Sequence, residues 1–172
     1  MRICLKICFC LYILFALPLH AEVAGKMTPV VDDGKTVIVA ASAKSKVQVI
    51  IKTHKVQKGI KENWDKKLSF VPSTCTFSSW CSIVDKIEIT VNNNEIFVPH
   101  SLVSDLAILN NAEIRIDGEK ISLLLESGDA SESCFVKIEF DRERVKSKKI
   151  YADDSMASDR LLQETTYHLV TL

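Results

Sequence analysis

The sequence predicts a mostly β fold, an antiparallel meander arranged as a sandwich or a barrel-like sheet, with one short helix. Two observations predict it. Residues 85 to 141 alternate apolar and polar side chains with a period of two, and asparagine- and glycine-containing dipeptides punctuate the alternation at hairpin spacing. About seven to nine strands are expected.

Ile87, Ile89 and Val91 alternate with Lys86, Glu88 and Thr90, the pattern of a strand with one buried face. Asparagine tolerates positive φ, so a two-residue turn at Asn92-Asn93 would set Ile89 opposite Ile96 and Ile87 opposite Val98. Pro99 ends that strand, and residues 100 to 106 form the short helix, with Leu102 and Leu106 on one side. In the second hairpin Ile114 and Ile116 lead to Asp117-Gly118, a type I′ signal whose register would place Ile114 opposite Ile121, with Leu123 and Leu125 continuing inward. Beyond the polar loop at Gly128-Asp129, Cys134, Val136, Ile138 and Phe140 share one face of a fifth strand. Upstream, Thr36 to Ala41 and Lys46 to Val56 are strands, the second with Val47, Val49 and Ile51 on one face. Lys58 to Lys67 is a connection, and Leu68 to Val71 a short strand closed by Pro72. Near the end, Arg142 to Tyr151 suits an edge strand protected by its lysines, and Leu162 to Val170 a closing strand.

The chain has 172 residues with 22 basic and 22 acidic side chains. Arg2 and Lys6 followed by the apolar run from Ile7 to Leu17 have the form of a signal peptide, with cleavage expected after Ala21. The organisation is then a signal peptide at 1–21, an extended segment at 22–35, and one antiparallel β domain at 36–172. Removing the signal takes away two basic residues and no acid, leaving 20 basic against 22 acidic side chains over 151 residues. A slight acidic excess argues against a nucleic-acid partner, and the apolar run is short for a membrane span of about 20 residues. A periplasmic or secreted protein with no integral membrane segment after cleavage is expected.

Export meets oxidising conditions, so Cys75 and Cys81, with five residues between them, are expected to form a disulfide. Cys134 is left as a buried thiol on the inward face of its strand. His54, His100 and His168 are scattered and no C-x-x-C pair occurs, so neither a metal nor another cofactor is expected. No nucleophile elbow or phosphate-binding loop occurs, so no catalytic residue is assigned. The alternative is a small secreted hydrolase built from dispersed residues, for which His100, Ser101, Asp129 and Glu132 are the candidates.

Three large apolar residues break the alternation: Phe97, Leu124 and Phe135 fall on the outward face. Either a second layer covers them or they bind something. Arg144, Lys146 and Lys148 belong to the single local basic cluster, with charge protection of an edge weighed against an anionic ligand. Taken together, these features predict an exported, non-enzymatic β domain that binds a protein or envelope component, in the manner of an inhibitor.

Ile96-Phe97-Val98-Pro99, the run Gly128-Asp129-Ala130-Ser131-Glu132-Ser133, and Glu164-Thr165-Thr166-Tyr167 together resemble a type of small secreted protein from Gram-negative bacteria. The resemblance spans about half the mature chain. It implies secretion and carries no activity or site residues to transfer.

Overall fold

A computed structural model describes residues 23–57, 79–128 and 133–168. Eleven strands run through these residues: β1 (Val23–Ala24), β2 (Thr28–Pro29), β3 (Gly34–Ala41), β4 (Lys46–Gln57), β5 (Trp80–Val91), β6 (Asn94–Ile96), β7 (Leu109–Asp117), β8 (Lys120–Ser127), β9 (Cys134–Phe140), β10 (Val145–Tyr151) and β11 (Leu161–Thr166). They form two antiparallel sheets. One has the order β3-β4-β5-β6, a meander, and in the other β7-β8-β9-β10-β11 form a meander to which β1 and β2 are added along β7; neither closes into a barrel.

The period-two alternation decides which residues lie between the sheets. Ile38, Val49, Ile51, Ile87 and Ile89 from the four-stranded sheet join Ile114, Leu123, Val136, Ile138 and Phe140 from the other in one buried cluster. Asn92 and Asn93 both have positive φ, at 51° and 68°, and the resulting turn sets Ile89 opposite Ile96 as its residues predict. The strand then stops at Ile96, so Ile87 and Val98 do not pair.

The second hairpin differs by two residues in register. Gly118 has φ 61° while Glu119 does not share a positive φ, the pattern of a type II′ turn, so Asp117 pairs with Lys120, Ile116 with Ile121 and Ile114 with Leu123. A shift of two preserves the face each side chain points to. The inward set is therefore unchanged.

The short helix is reduced to a 3-10 turn at His100–Leu102, which begins a crossover between the sheets with Leu102, Val103 and Leu106 buried beneath it. The crossover is tied to both sides: the Val84 amide donates to Leu106 O, the Ile108 amide to Ser82 O, and the Gly128 amide to Ile108 O. Ile108 takes φ 47° to meet both sheets at once, a conformation that a β-branched residue adopts only when its surroundings enforce it.

β10 is not an edge strand, since β9 and β11 pair with its two sides. A bulge between Val145 and Ser147 adds one residue, which turns Lys148 inward and Ser147 outward. Lys148 is consequently 3% exposed, where unbroken alternation from Val145 would have left it in solvent. No helix among the described residues is long and apolar enough to cross a membrane. The signal segment expected at 1–21, the connection expected at Lys58 to Lys67, the strand expected at Leu68 to Val71, and Cys75 lie outside the described residues.

Candidate functional site

The outward face of the larger sheet is built in rows by its register. Asn111, Glu126, Phe135 and Tyr151 stand side by side across β7 to β10, and the next row is Glu113, Leu124, Lys137 and Lys149. Leu124 and Phe135 are diagonal neighbours on adjacent strands, close enough for their side chains to meet. Leu124 is 7% exposed and Phe135 half-buried, so something covers them.

Two segments rise over this face. On one side the N-terminal strap of β1 and β2 pairs along β7 and carries Met27. Gly25 allows this close approach: its amide donates to Ile114 O at 2.7 Å, and a Cβ there would stand 2.6 Å from the same oxygen. On the other side the β10–β11 loop brings Asp154 and Met156. Asp153 organises that loop, with Oδ1 accepting from the Ser155 amide at 3.1 Å and Oδ2 facing Arg160 Nε at 3.4 Å, and Met156 adopts φ 50° beside it.

Between strap and loop lies a cavity of about 300 Å³, within the range of small-molecule pockets though at its lower end. Leu124, Phe135, Met27 and Met156 supply its apolar lining, and Glu113, Arg115, Glu126 and Asp154 its charge. Glu113 is 6% exposed and accepts from Arg115 Nη2 at 3.0 Å, a charge-assisted bond that compensates its burial. Arg115 Nε is buried without a hydrogen-bond partner among the described residues. Glu126 Oε2 accepts from Asn111 Nδ2 at 2.7 Å. Met27 and Met156 carried no local signal in the sequence, because both arrive from distant segments.

The other expected site residues are placed apart. Phe97 is 80% exposed, one residue past the end of β6, which belongs to the opposite sheet from Leu124 and Phe135. The basic cluster is dispersed: Lys146 Nζ pairs with Asp141 Oδ2 at 2.7 Å, and Lys149 reaches Glu139 and Glu164. Arg144 is half-buried in the turn between β9 and β10. Lys148 leaves the surface entirely, its Nζ donating to Asp105 Oδ1 and to Leu102 O at 3.1 Å. That pair fastens the crossover to the sheet.

Near Lys148 is a small polar interior. Ser127 Oγ donates to Ala107 O at 2.6 Å, and Cys134, paired with Ser127 across the ladder, is a free, half-buried thiol. Burial pushes the Cys134 thiol above its ordinary pKa, with a hydrogen bond to Ser127 and the Lys148 charge opposing the shift and Asp105 adding to it. Such a thiol is a poor nucleophile. Burial also raises Tyr167, against the nearby Ser101 hydroxyl and with Asp105, although the Tyr167 hydroxyl reaches no partner at hydrogen-bonding geometry among the described residues. His100 and Ser101 stand exposed on the 3-10 turn, while Asp129 and Glu132 lie outside the described residues. No group of three or more His, Cys, Asp or Glu among the described residues is placed to hold a metal ion.

No protein family, characterised protein or solved structure matches the chain.

Proposed function

We propose that the chain is an exported, non-enzymatic binding domain whose binding surface is the outward face of its larger sheet. One observation carries this reading: Leu124 and Phe135, which break the alternation of their strands, line a cavity of about 300 Å³ walled by Met27 and Met156. Burying two large apolar side chains needs only a flat cover, whereas the strap and the loop leave an open space above them. Methionine adapts its flexible side chain to differently shaped occupants, which suits walls that close on a ligand. Export to the periplasm or beyond, a protein or envelope partner, and a Cys75–Cys81 disulfide belong to the same proposal, supported by the basic and apolar start of the chain.

The test is a ligand-observed NMR screen of a small-fragment set against the wild type and Phe135→Ser. Hits that compete for one site and weaken about tenfold or more in the variant support the reading, and a screen whose hits ignore the variant overturns it. Export has its own check. Mass spectrometry of protein recovered from the native host should find a chain starting near Glu22, and an intact Met1 would refute cleavage.

A further inference from the structure

We propose that the cavity between the strap and the β10–β11 loop takes an organic cation with an apolar body, a protonated amine or guanidinium on a hydrocarbon or aromatic frame. This rests on the reading of that face as a binding site and adds the chemistry of its occupant. Three carboxylates line the cavity, Glu113, Glu126 and Asp154, against the single guanidinium of Arg115, a formal excess of two negative charges. The Arg115 charge is committed to Glu113 at 3.0 Å. Glu126 is held only by the neutral Asn111 amide at 2.7 Å, and neither it nor Asp154 has a cationic partner among the described residues.

The apolar lining makes the same selection from the other direction. An aromatic ring presents a negative face, and sulfur is polarizable, so Phe135 with Met27 and Met156 favours a cation that brings hydrocarbon with it over a strongly hydrated ion. A hard metal ion is disfavoured because it demands several converging oxygens, and these carboxylates do not form such a group.

The acidic bias is local to this cavity. Past Arg115 on the same sheet face lies a second hollow of about 280 Å³, where Lys120, Lys137 and Lys146 join Arg115 against Asp117 and Glu139. Lys137 pairs there with Glu139 and Lys146 with Asp141, so once ion pairs are set aside the second hollow has no acidic excess. The unpaired negative charge is thus a property of the methionine-walled cavity and not of the face as a whole.

The experiment is a calorimetric titration of the full processed chain with three matched probes, benzylammonium, benzyl alcohol and benzoate. It is repeated on Glu126→Gln/Asp154→Asn and on Phe135→Ser, with thermal melting to show that each variant folds. Benzylammonium should bind about tenfold tighter than benzyl alcohol, and the double variant should reduce that ratio to under about threefold while Phe135→Ser weakens both probes. Equal binding of amine and alcohol, or tighter benzoate binding at this cavity, overturns the cation assignment and leaves the binding-site reading intact. If none of the three binds in a way that Phe135→Ser weakens, the binding-site reading itself falls. A capped peptide with one central arginine forms a further arm: tight binding of the peptide over the free amine would assign the cation to a side chain of a protein partner, and the reverse to a small molecule.

Discussion

Asp105→Ala tests how the crossover is fastened to the larger sheet. Lys148 is 3% exposed, and its ammonium donates to Asp105 Oδ1 and to Leu102 O at 3.1 Å. Without Asp105 the buried charge keeps one carbonyl acceptor. Removing one partner of a buried ion pair costs about 3–5 kcal/mol, and because Asp105 is itself 33% exposed, entering water replaces part of what is lost, so about 3 kcal/mol is expected. Lys148→Met should cost less. It removes the charge along with its partner's obligation, lets Asp105 turn to solvent, keeps most of the side-chain volume, and strands chiefly the Leu102 carbonyl, for about 1–2 kcal/mol. In the double variant the loss should stay close to that of Lys148→Met alone, since Asp105 has no charge left to compensate. Urea unfolding followed by tryptophan fluorescence reads all four proteins, with the slope unchanged across the set. An Asp105→Ala variant within about 0.5 kcal/mol of wild type, or one more stable than Lys148→Met, would refute the role given to this pair.

Three further outcomes are expected. Cys134, whose thiol burial pushes up, should react with iodoacetamide at pH 8 about tenfold or more slowly in the folded protein than in urea, and equal rates would show the thiol to be open. Partial burial raises the Asp141 carboxyl, but hydrogen bonds from Lys146 and from the Glu143 and Arg144 amides outweigh it. Glu139 is likewise lowered against its burial, by hydrogen bonds from Lys137 and Ser147 and by the Lys137 and Lys149 charges. Both folded-state values lie below the unfolded ones, so the unfolded chain binds more protons as acid is added. The stability these groups provide is therefore present above the ordinary carboxylate range near pH ~4 and is lost as pH falls through the depressed values. The stability gap between wild type and Asp141→Asn should accordingly shrink from pH 6 to pH 3, and a constant gap would contradict the assignment. Gly25→Ala places a Cβ 2.6 Å from Ile114 O and should release the strap, seen as faster hydrogen exchange in residues 23 to 29, and unchanged exchange there would show that the strap yields without detaching.

The inward faces were legible because alternation is a local property that survives errors in register. Ile114 was expected opposite Ile121 and lies opposite Leu123, yet both face the core, since the turn moved the pairing by two. Lys148 was illegible for the opposite reason. A bulge shifts parity by one, nothing in Val145-Lys146-Ser147-Lys148 announces it, and the lysine that alternation puts on the surface is the interior one. Leu124 and Phe135 were legible as interruptions of a polar face, and the structure gathers them over one cavity. Phe97 gives the same signal but lies just past the end of β6, beside the other sheet, because periodicity records which way a side chain points and not where its strand ends or which sheet it joins. The cavity walls were beyond local reasoning. Met27 and Met156 are separated by more than a hundred residues and come to line one cavity over β7 to β9 only through strand pairing and an Asp153-centred turn.

The most direct measurement is the mapping of backbone amide chemical shifts while benzylammonium is titrated into the isotopically labelled protein. Saturable perturbations should centre on Asn111 to Arg115, Leu124 to Glu126 and Phe135, and extend to Met27 and Met156 on the two walls. Perturbations centred instead on Val37, Val39 and Phe97 of the opposite sheet, or none that saturate, would contradict a binding site on this face.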